Sequence, residues 1–349
     1  MSKEANVIKN KVNSLAGNTA CYLGLFLLLL FLIIISLSWG RYTVPFSQVF
    51  RILSSSLFAI EQTWTDSMRD VVMVIRLPRT VAAILTGSAL ALSGVAYQGI
   101  FRNPLVSPDL LGVSYGAGVG AALAILLHLP CIGIQAFAFL FGITAVLFTM
   151  LFPRLLKNTS TLMLVLSGVI VSGFMNSVLG LLKYIADTDT ELPSIVYWLM
   201  GSFSAVKWSS IITLFPVMLV SGIILLLFRW RINILSLGDT EAQTLGVNVS
   251  RLRLVSIVCS TLLTASAVCL SGTIAWVGLL IPHISRMLMG EDNRDLFPTS
   301  ILIGGSYLLF IDTLARNISS TEIPISILTG IIGVPVFAVV LLRRKVILQ

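Results

Sequence analysis

Charge is scarce in this chain. Asp, Glu, Lys and Arg make up 11% of 349 residues, against roughly 25% in a soluble globular domain. That deficit excludes a water-solvated domain of this size. Histidine is scarcer still, with only His128 and His283. Two histidines far apart give no His-based metal site. The four cysteines, Cys21, Cys131, Cys259 and Cys269, form no C-x-x-C pair, and three lie in apolar runs. They read as small buried hydrophobes rather than a redox or zinc motif. No Gly is followed directly by Lys, so the chain carries no Walker A phosphate-binding loop. The net charge is +8, yet no basic cluster sits on a soluble element, so nucleic acid is not a partner.

What remains is apolar sequence in long blocks. Runs such as Cys21–Ser38 and Ile211–Phe228 hold 18 residues each. As helices they rise about 27 Å, close to the hydrocarbon thickness of a bilayer. The ten-residue alternation of a membrane barrel is absent. The fold class is therefore all-α and polytopic. Ten apolar segments are predicted, near 20–39, 80–100, 108–127, 132–152, 161–183, 209–229, 254–271, 273–289, 299–315 and 324–342. The seventh and eighth are separated only by the turn at Gly272. The basic residues before the first run (Lys3, Lys9, Lys11) mimic a secretion signal, but the run is too long for one and no A-x-A site follows. The expectation is a cytoplasmic tail over 1–19 and one membrane-spanning domain over 20–345. With ten spans and an inside N-terminus, fifteen of the twenty-three Lys and Arg fall inside. The positive-inside rule then puts both termini in the cytoplasm.

Three segments stand out. "RLPRTVAAILTGSALALSG" (76–94) is similar to "RLRLVSIVCSTLLTASAVCLSG" (251–272). The two run in opposite directions across the bilayer, so they suggest an inverted repeat of the kind transporters use. "GVSYGAGVG" sets Gly112, Gly116 and Gly120 four apart, a bare helix face for close packing. "SLGDTEAQTLGVNVSRLR" (236–253) is polar in an apolar chain. Ser236 before Asp239 follows the S-x-x-D pattern of a helix start. Asp239 and Glu241 suit the positive end of the helix dipole, Gly246 can close the helix in a left-handed conformation, and Asn248 or Ser250 can cap the next span. The prediction is a short cytoplasmic helix near 236–247. A helix this short needs a surface to pack against.

Read together, "GDTEAQTLGV", "SGTIAWVGLLIPHISRMLMGEDNRDLFP", "DTLAR…TEIPISILTGIIGVPVFAVVLLRR" and "RLPRTVAAILTGSALALSGVAYQGIFRNPLVSPDLLGVSYGAG" resemble the FecCD-type permeases of ATP-binding-cassette importers for ferric siderophores, haem and cobalamin. The likeness runs from about residue 70 to the end. It implies a type II importer permease, ten helices per subunit, paired as a homodimer in the bacterial cytoplasmic (inner) membrane. Two ATP-binding subunits would dock on the cytoplasmic side and a substrate-binding protein outside. No cofactor is expected in this chain, since ATP and Mg belong to the ATPase. By the same resemblance Gly238, Asp239, Glu241, Ala242, Leu245 and Gly246 form the coupling helix. Arg76, Arg79 and Arg316, which break the positive-inside bias at the outer face, would meet acidic residues of the binding protein. Asn103 and Leu105, in "FRNPLVSPD", and Thr161 would close the pathway inside. Leu162 departs from the small polar residue expected beside Thr161. His283, in "IPHISR", is assigned packing or capping.

The leading expectation is thus a non-enzymatic permease subunit carrying an iron chelate, most simply a ferric siderophore; cobalamin or haem are alternatives. An ion-coupled secondary transporter would place acids inside the spans. The clear candidate here is Asp312, four residues before Arg316, where an intrahelical pair makes it structural. A membrane-embedded enzyme would need a cluster of His, Asp or Ser-Lys groups at membrane depth, and the sequence offers none.

Overall fold

A computed structural model describes residues 2–56, 58, 61–157 and 160–347; the side chains of 2–16, 341 and 343–347 lie outside that description. Lys3, Lys9, Lys11, Arg343, Arg344 and Lys345, part of the charge bias above, are among those side chains.

Fourteen α-helices and no strand occur among the described residues: α1 (Ser2–Ser38), α2 (Phe46–Ser55), α3 (Asp66–Asp70), α4 (Leu77–Phe101), α5 (Val113–Leu126), α6 (Cys131–Leu155), α7 (Thr161–Ile185), α8 (Glu191–Met200), α9 (Trp208–Leu235), α10 (Asp239–Thr244), α11 (Val249–Ser271), α12 (Val277–Met289), α13 (Asn293–Asn317) and α14 (Ile325–Ile347). Each predicted apolar segment coincides with one helix, α10 falls within the predicted polar helix, and α2, α3 and α8 are additions. Seven helical runs are long and apolar enough to cross a membrane, and three shorter apolar helices, Val113–Leu126, Val277–Met289 and Ile325–Val340, complete the ten.

α4 is reached through a π-helical turn, Val71–Arg76. Pro78 explains it. Its missing N–H and its ring deny the preceding turn a regular α-helical bond, and the backbone widens instead. α4, α11 and α13 form the centre, with 78%, 78% and 67% of their apolar windows buried, whereas α1 has 11%. The peripheral helices present Leu, Ile and Phe outward, as a lipid-facing surface requires.

Small residues let the central helices touch. The Gly304 carbonyl occupies the space where a side chain on Gly87 would lie, and the Gly87 carbonyl does the same to Gly304. α4 and α11, the two halves of the sequence repeat, lie side by side. Ser93 Oγ is 2.9 Å from Thr264 Oγ1 and donates to the Ser260 carbonyl at 3.1 Å. Tyr97 Oη is 3.2 Å from Thr261 Oγ1. Hydrogen bonds between helices replace the hydrophobic drive that lipid cannot supply. The glycine stripe packs as predicted: Gly116 and Gly120 face the backbone carbonyls of Phe141 and Phe137 on α6.

α5 and α12 are short, at 14 and 13 residues. Each rises about 20 Å, less than the hydrocarbon core. A 3₁₀ turn, Pro108–Leu111, leads into α5, and residues 272–276 lead into α12. The Pro108 ring fills the space beside Gly278, so the irregular entry to α5 packs on the first turn of α12. Irregular backbone at this depth is tolerated where protein buries it.

Candidate functional site

On the side where α4 ends and α11 begins, α10 forms a six-residue helix between α9 and α11. Its end follows the predicted chemistry. Gly246 has φ +81°. Its N–H donates to the Gln243 carbonyl at 2.9 Å, and the Val247 N–H donates to the Ala242 carbonyl at 2.9 Å. This is the paired closure that a left-handed glycine permits. Asn248 then caps α11 by accepting from the Arg251 N–H at 3.0 Å.

The start of α10 corrects the sequence reading. Ser236 closes α9, donating back to the Asn233 carbonyl at 2.6 Å. The residue before α10 is Gly238, at φ +136°, and the Glu241 carboxylate folds over its α-carbon. A side chain there would be strained and would strike Glu241. The predicted coupling residues also divide by direction. Glu241, Leu245 and Gly246 are exposed, Asp239 is half-buried, and Gly238 and Ala242 are buried. Ala242 is 0% exposed, so it anchors α10 to its own bundle. Leu237 and Leu245, 64% and 60% exposed, flank the helix as apolar groups without cover.

The adjoining segment 102–107 holds two predicted gate residues. Arg102 ends α4 with φ +50°. Asn103 Oδ1 accepts from the Leu105 N–H at 2.9 Å and shapes the turn, leaving Leu105 59% exposed. Gln98 Nε2 donates to the Val106 carbonyl at 3.3 Å, and Arg286 donates to Gln98 Oε1 at 2.7 Å. Thr161 opens α7 behind the cap residue Ser160. It lies outside the small cavity that Asn103 borders.

At the opposite end, the three predicted docking arginines are buried, at 4%, 5% and 9% exposure for Arg76, Arg79 and Arg316. Arg76 donates to the carbonyls of Leu37, Ser38 and Tyr42 at 2.7, 3.0 and 2.5 Å. Arg79 bonds Asp312 at 2.8 Å and Glu322 at 2.7 Å. Arg316 lies 3.2 Å from Asp312, an ion pair by distance whose angle falls short of a hydrogen bond, and donates to Ser36 Oγ at 2.8 Å. In this conformation none offers a free guanidinium at the surface. The predicted Asp312–Arg316 pair is present, which fits a structural carboxylate. His283 packs edge-on against Phe337, ring centroids 5.1 Å apart, with Nδ1 2.8 Å from the Leu279 carbonyl.

The profile of the FecCD transport family matches residues 28–343. The chain belongs to that family. Among its FecCD relatives is the molybdate import system permease protein MolB of Haemophilus influenzae, 44% identical over 92% of this chain and 95% of that one. Another is the probable iron chelatin transport system permease protein of Helicobacter pylori strain 26695, 41% identical over 80% of this chain and 85% of that one. A metal-chelate type ABC transporter solved in an inward-facing conformation superposes with a TM-score of 0.83 at 42% identity, covering 92% of this chain and 98% of that one. This FecCD protein is accordingly a polytopic ABC-importer permease. Three features of it escaped the sequence reading. Glu322 completes the ion cluster of Arg79, Asp312 and Arg316 from a loop ten residues beyond Asp312. Asp109, tucked at the start of α5, bonds Ser114. Arg102 pairs with Asp239, 137 residues away in sequence. Only the last had a signal, an unpaired-looking basic residue beside a proline turn.

Proposed function

We propose that this chain is the permease subunit of an ATP-driven importer of a metal-containing solute in the bacterial cytoplasmic membrane, with both termini cytoplasmic. The carrying observation is α10: a capped six-residue helix, held inward by Ala242, that turns Glu241 and Leu245 outward. Exposed leucine beside exposed acid on a short, rigid protrusion is what a helix-in-cleft contact needs. The partner is a pair of cytoplasmic ATP-binding subunits, which hold ATP and Mg. Asn103, Leu105 and Thr161 close the pathway on that side. A second copy of this chain completes the pathway, and a substrate-binding protein docks outside. There Arg76, Arg79 and Arg316 act from beneath, fixing the loops that form the docking face.

The cargo reading is an iron chelate, in line with the iron chelatin and haemin permeases among the relatives. Molybdate is the second reading, favoured by the 44% identity to MolB. The test is uptake into proteoliposomes holding this chain, its ATPase and its binding protein, with ⁵⁵Fe-siderophore and ⁹⁹Mo-molybdate in parallel. ATP-dependent accumulation of one label, lost in Glu241→Arg and Leu245→Arg, is the expected result. Uptake without ATP, abolished by an uncoupler, would replace this reading with an ion-coupled transporter.

A further inference from the structure

Three helices meet at one carboxylate on the α10 side. Asp239, the first residue of α10, holds Oδ1 2.8 Å from Nη2 of Arg253 and 3.2 Å from Nη2 of Arg102. Arg253 stands in the second turn of α11. Arg102 closes α4 and directly precedes Asn103. The two arginines differ in setting: the Arg253 side chain is 18% exposed and that of Arg102 is 40% exposed. The Arg253 bond is the shorter and more sheltered one. The Arg102 bond is longer, more solvated and easier to break, as partly exposed ion pairs are.

Segment 102–107 therefore hangs between two polar ties. One runs through Gln98 to Arg286 on α12. The other runs through Arg102 to α10. Between them lies a cavity of about 220 Å³ bordered by Arg102, Asn103, Pro104 and Asn293, which leaves the segment room to shift. A tie of this kind transmits a displacement of an ångström or two because the interface has discrete arrangements rather than a continuous range.

We propose that Arg102 is a positioning residue, whose ion pair with Asp239 passes movement of α10 to the 102–107 segment. This rests on the reading of α10 as the ATPase-coupling helix. Packing ties α10 to α9, and the Asp239–Arg253 ion pair adds to packing against α11. The Arg102–Asp239 ion pair extends the link to α4 and the turn beyond it.

The experiment needs no knowledge of the cargo. In full-length permease freed of its four cysteines and assembled with its ATPase in nanodiscs, a thiol is introduced by Leu105→Cys or, separately, by Thr244→Cys. Both positions are exposed. Maleimide labelling rates are compared with and without vanadate-trapped ATP. The expected result is a nucleotide-dependent rate change at both positions. In the Arg102→Gln background the change at 105 shrinks about two- to fivefold, the range a partly exposed ion pair spans, while that at 244 persists. Arg102→Lys restores the change at 105, because charge rather than shape carries the link. An undiminished response at 105 in Arg102→Gln, or equal loss in Arg102→Lys, overturns the proposal. Absence of any nucleotide response at 244 in the parent would instead overturn the coupling reading beneath it.

Discussion

Asp312 has no water to share its charge with. It is 0% exposed and stands between Arg79 and Arg316, with Glu322 behind Arg79. Two cations and two anions balance, and Arg76 is left to backbone carbonyls. Removing one member of such a set leaves buried charge uncompensated, at a cost of about 3–5 kcal/mol. Asp312→Ala is expected to lower the thermal unfolding midpoint sharply in detergent, and more than Arg316→Ala does, since it takes the shared carboxylate from two guanidinium groups at once. An unchanged midpoint would mean that the cluster opens to water. A second carboxylate gives a pH test. Asp292 caps α13 and accepts from Arg294 and from Asn233 at 2.6 Å. Its hydrogen bonds from Arg294, outweighing partial burial, hold it down at about 2. A depressed carboxyl stabilises above its unfolded value near about 4 and loses that contribution as pH falls toward the folded value. The gap in midpoint between the parent and Asp292→Asn should stay constant from neutral pH to about 5 and close below about 4. A gap that persists at low pH would assign the effect to shape rather than charge.

At the scale of elements, the ten apolar segments were legible because lipid forces a span to be apolar and helical. The end of α10 was legible too, since a left-handed glycine and an asparagine cap are local chemistry. Its beginning was not. Ser236 suits a helix start and a helix end equally, and the α9 backbone claims it. Nor was the direction of Ala242 legible, because a six-residue helix has too few turns to declare a face. The Gly87–Gly304 crossing escaped for a related reason: each glycine stands without a partner at spacing four, and only the tertiary crossing joins them. These directions separate two variants that look alike on paper. Ala242→Arg forces a cation into the bundle and should cost about 3 kcal/mol or more in stability. Leu245→Arg touches solvent alone. It should leave the unfolding midpoint within about 1 °C, a surface-sized effect, yet weaken ATPase binding at least about tenfold, as loss of an interface anchor does. Equal loss of stability in both variants would place Leu245 inside the fold.

The whole molecule presents two kinds of outer surface. α9 turns Ile212, Leu219, Val220, Ile223 and Leu227 outward, all apolar. That is a lipid face. α7 turns outward Val169, Ile170, Phe174 and Leu181, and beside them a strip of Gly173, Asn176, Ser177 and Gly180, whose two glycines have nothing within 4 Å of the space a side chain would fill. An exposed amide and bare backbone at mid-span are costly against acyl chains and suited to a helix partner or an aqueous path. On the paired-permease reading proposed above, this is the surface that would meet a second copy or line the pathway. The sequence alone did not mark it, because Gly, Ser and Asn in α7 are equally common in buried helix contacts. Only the observed burial of Met175 and Leu179 between them shows which side they take. In a form freed of Cys21, Cys131, Cys259 and Cys269, Gly180→Cys should react with a water-soluble maleimide or form an interchain disulfide under mild oxidation. Val220→Cys on α9, at 57% exposure in the same protein, should do neither, because acyl chains cover it and a thiol there stays protonated and unreactive. Equal inertness at 180 and 220 would make the α7 face lipid-exposed, and the pathway would then have to run along another helix pair.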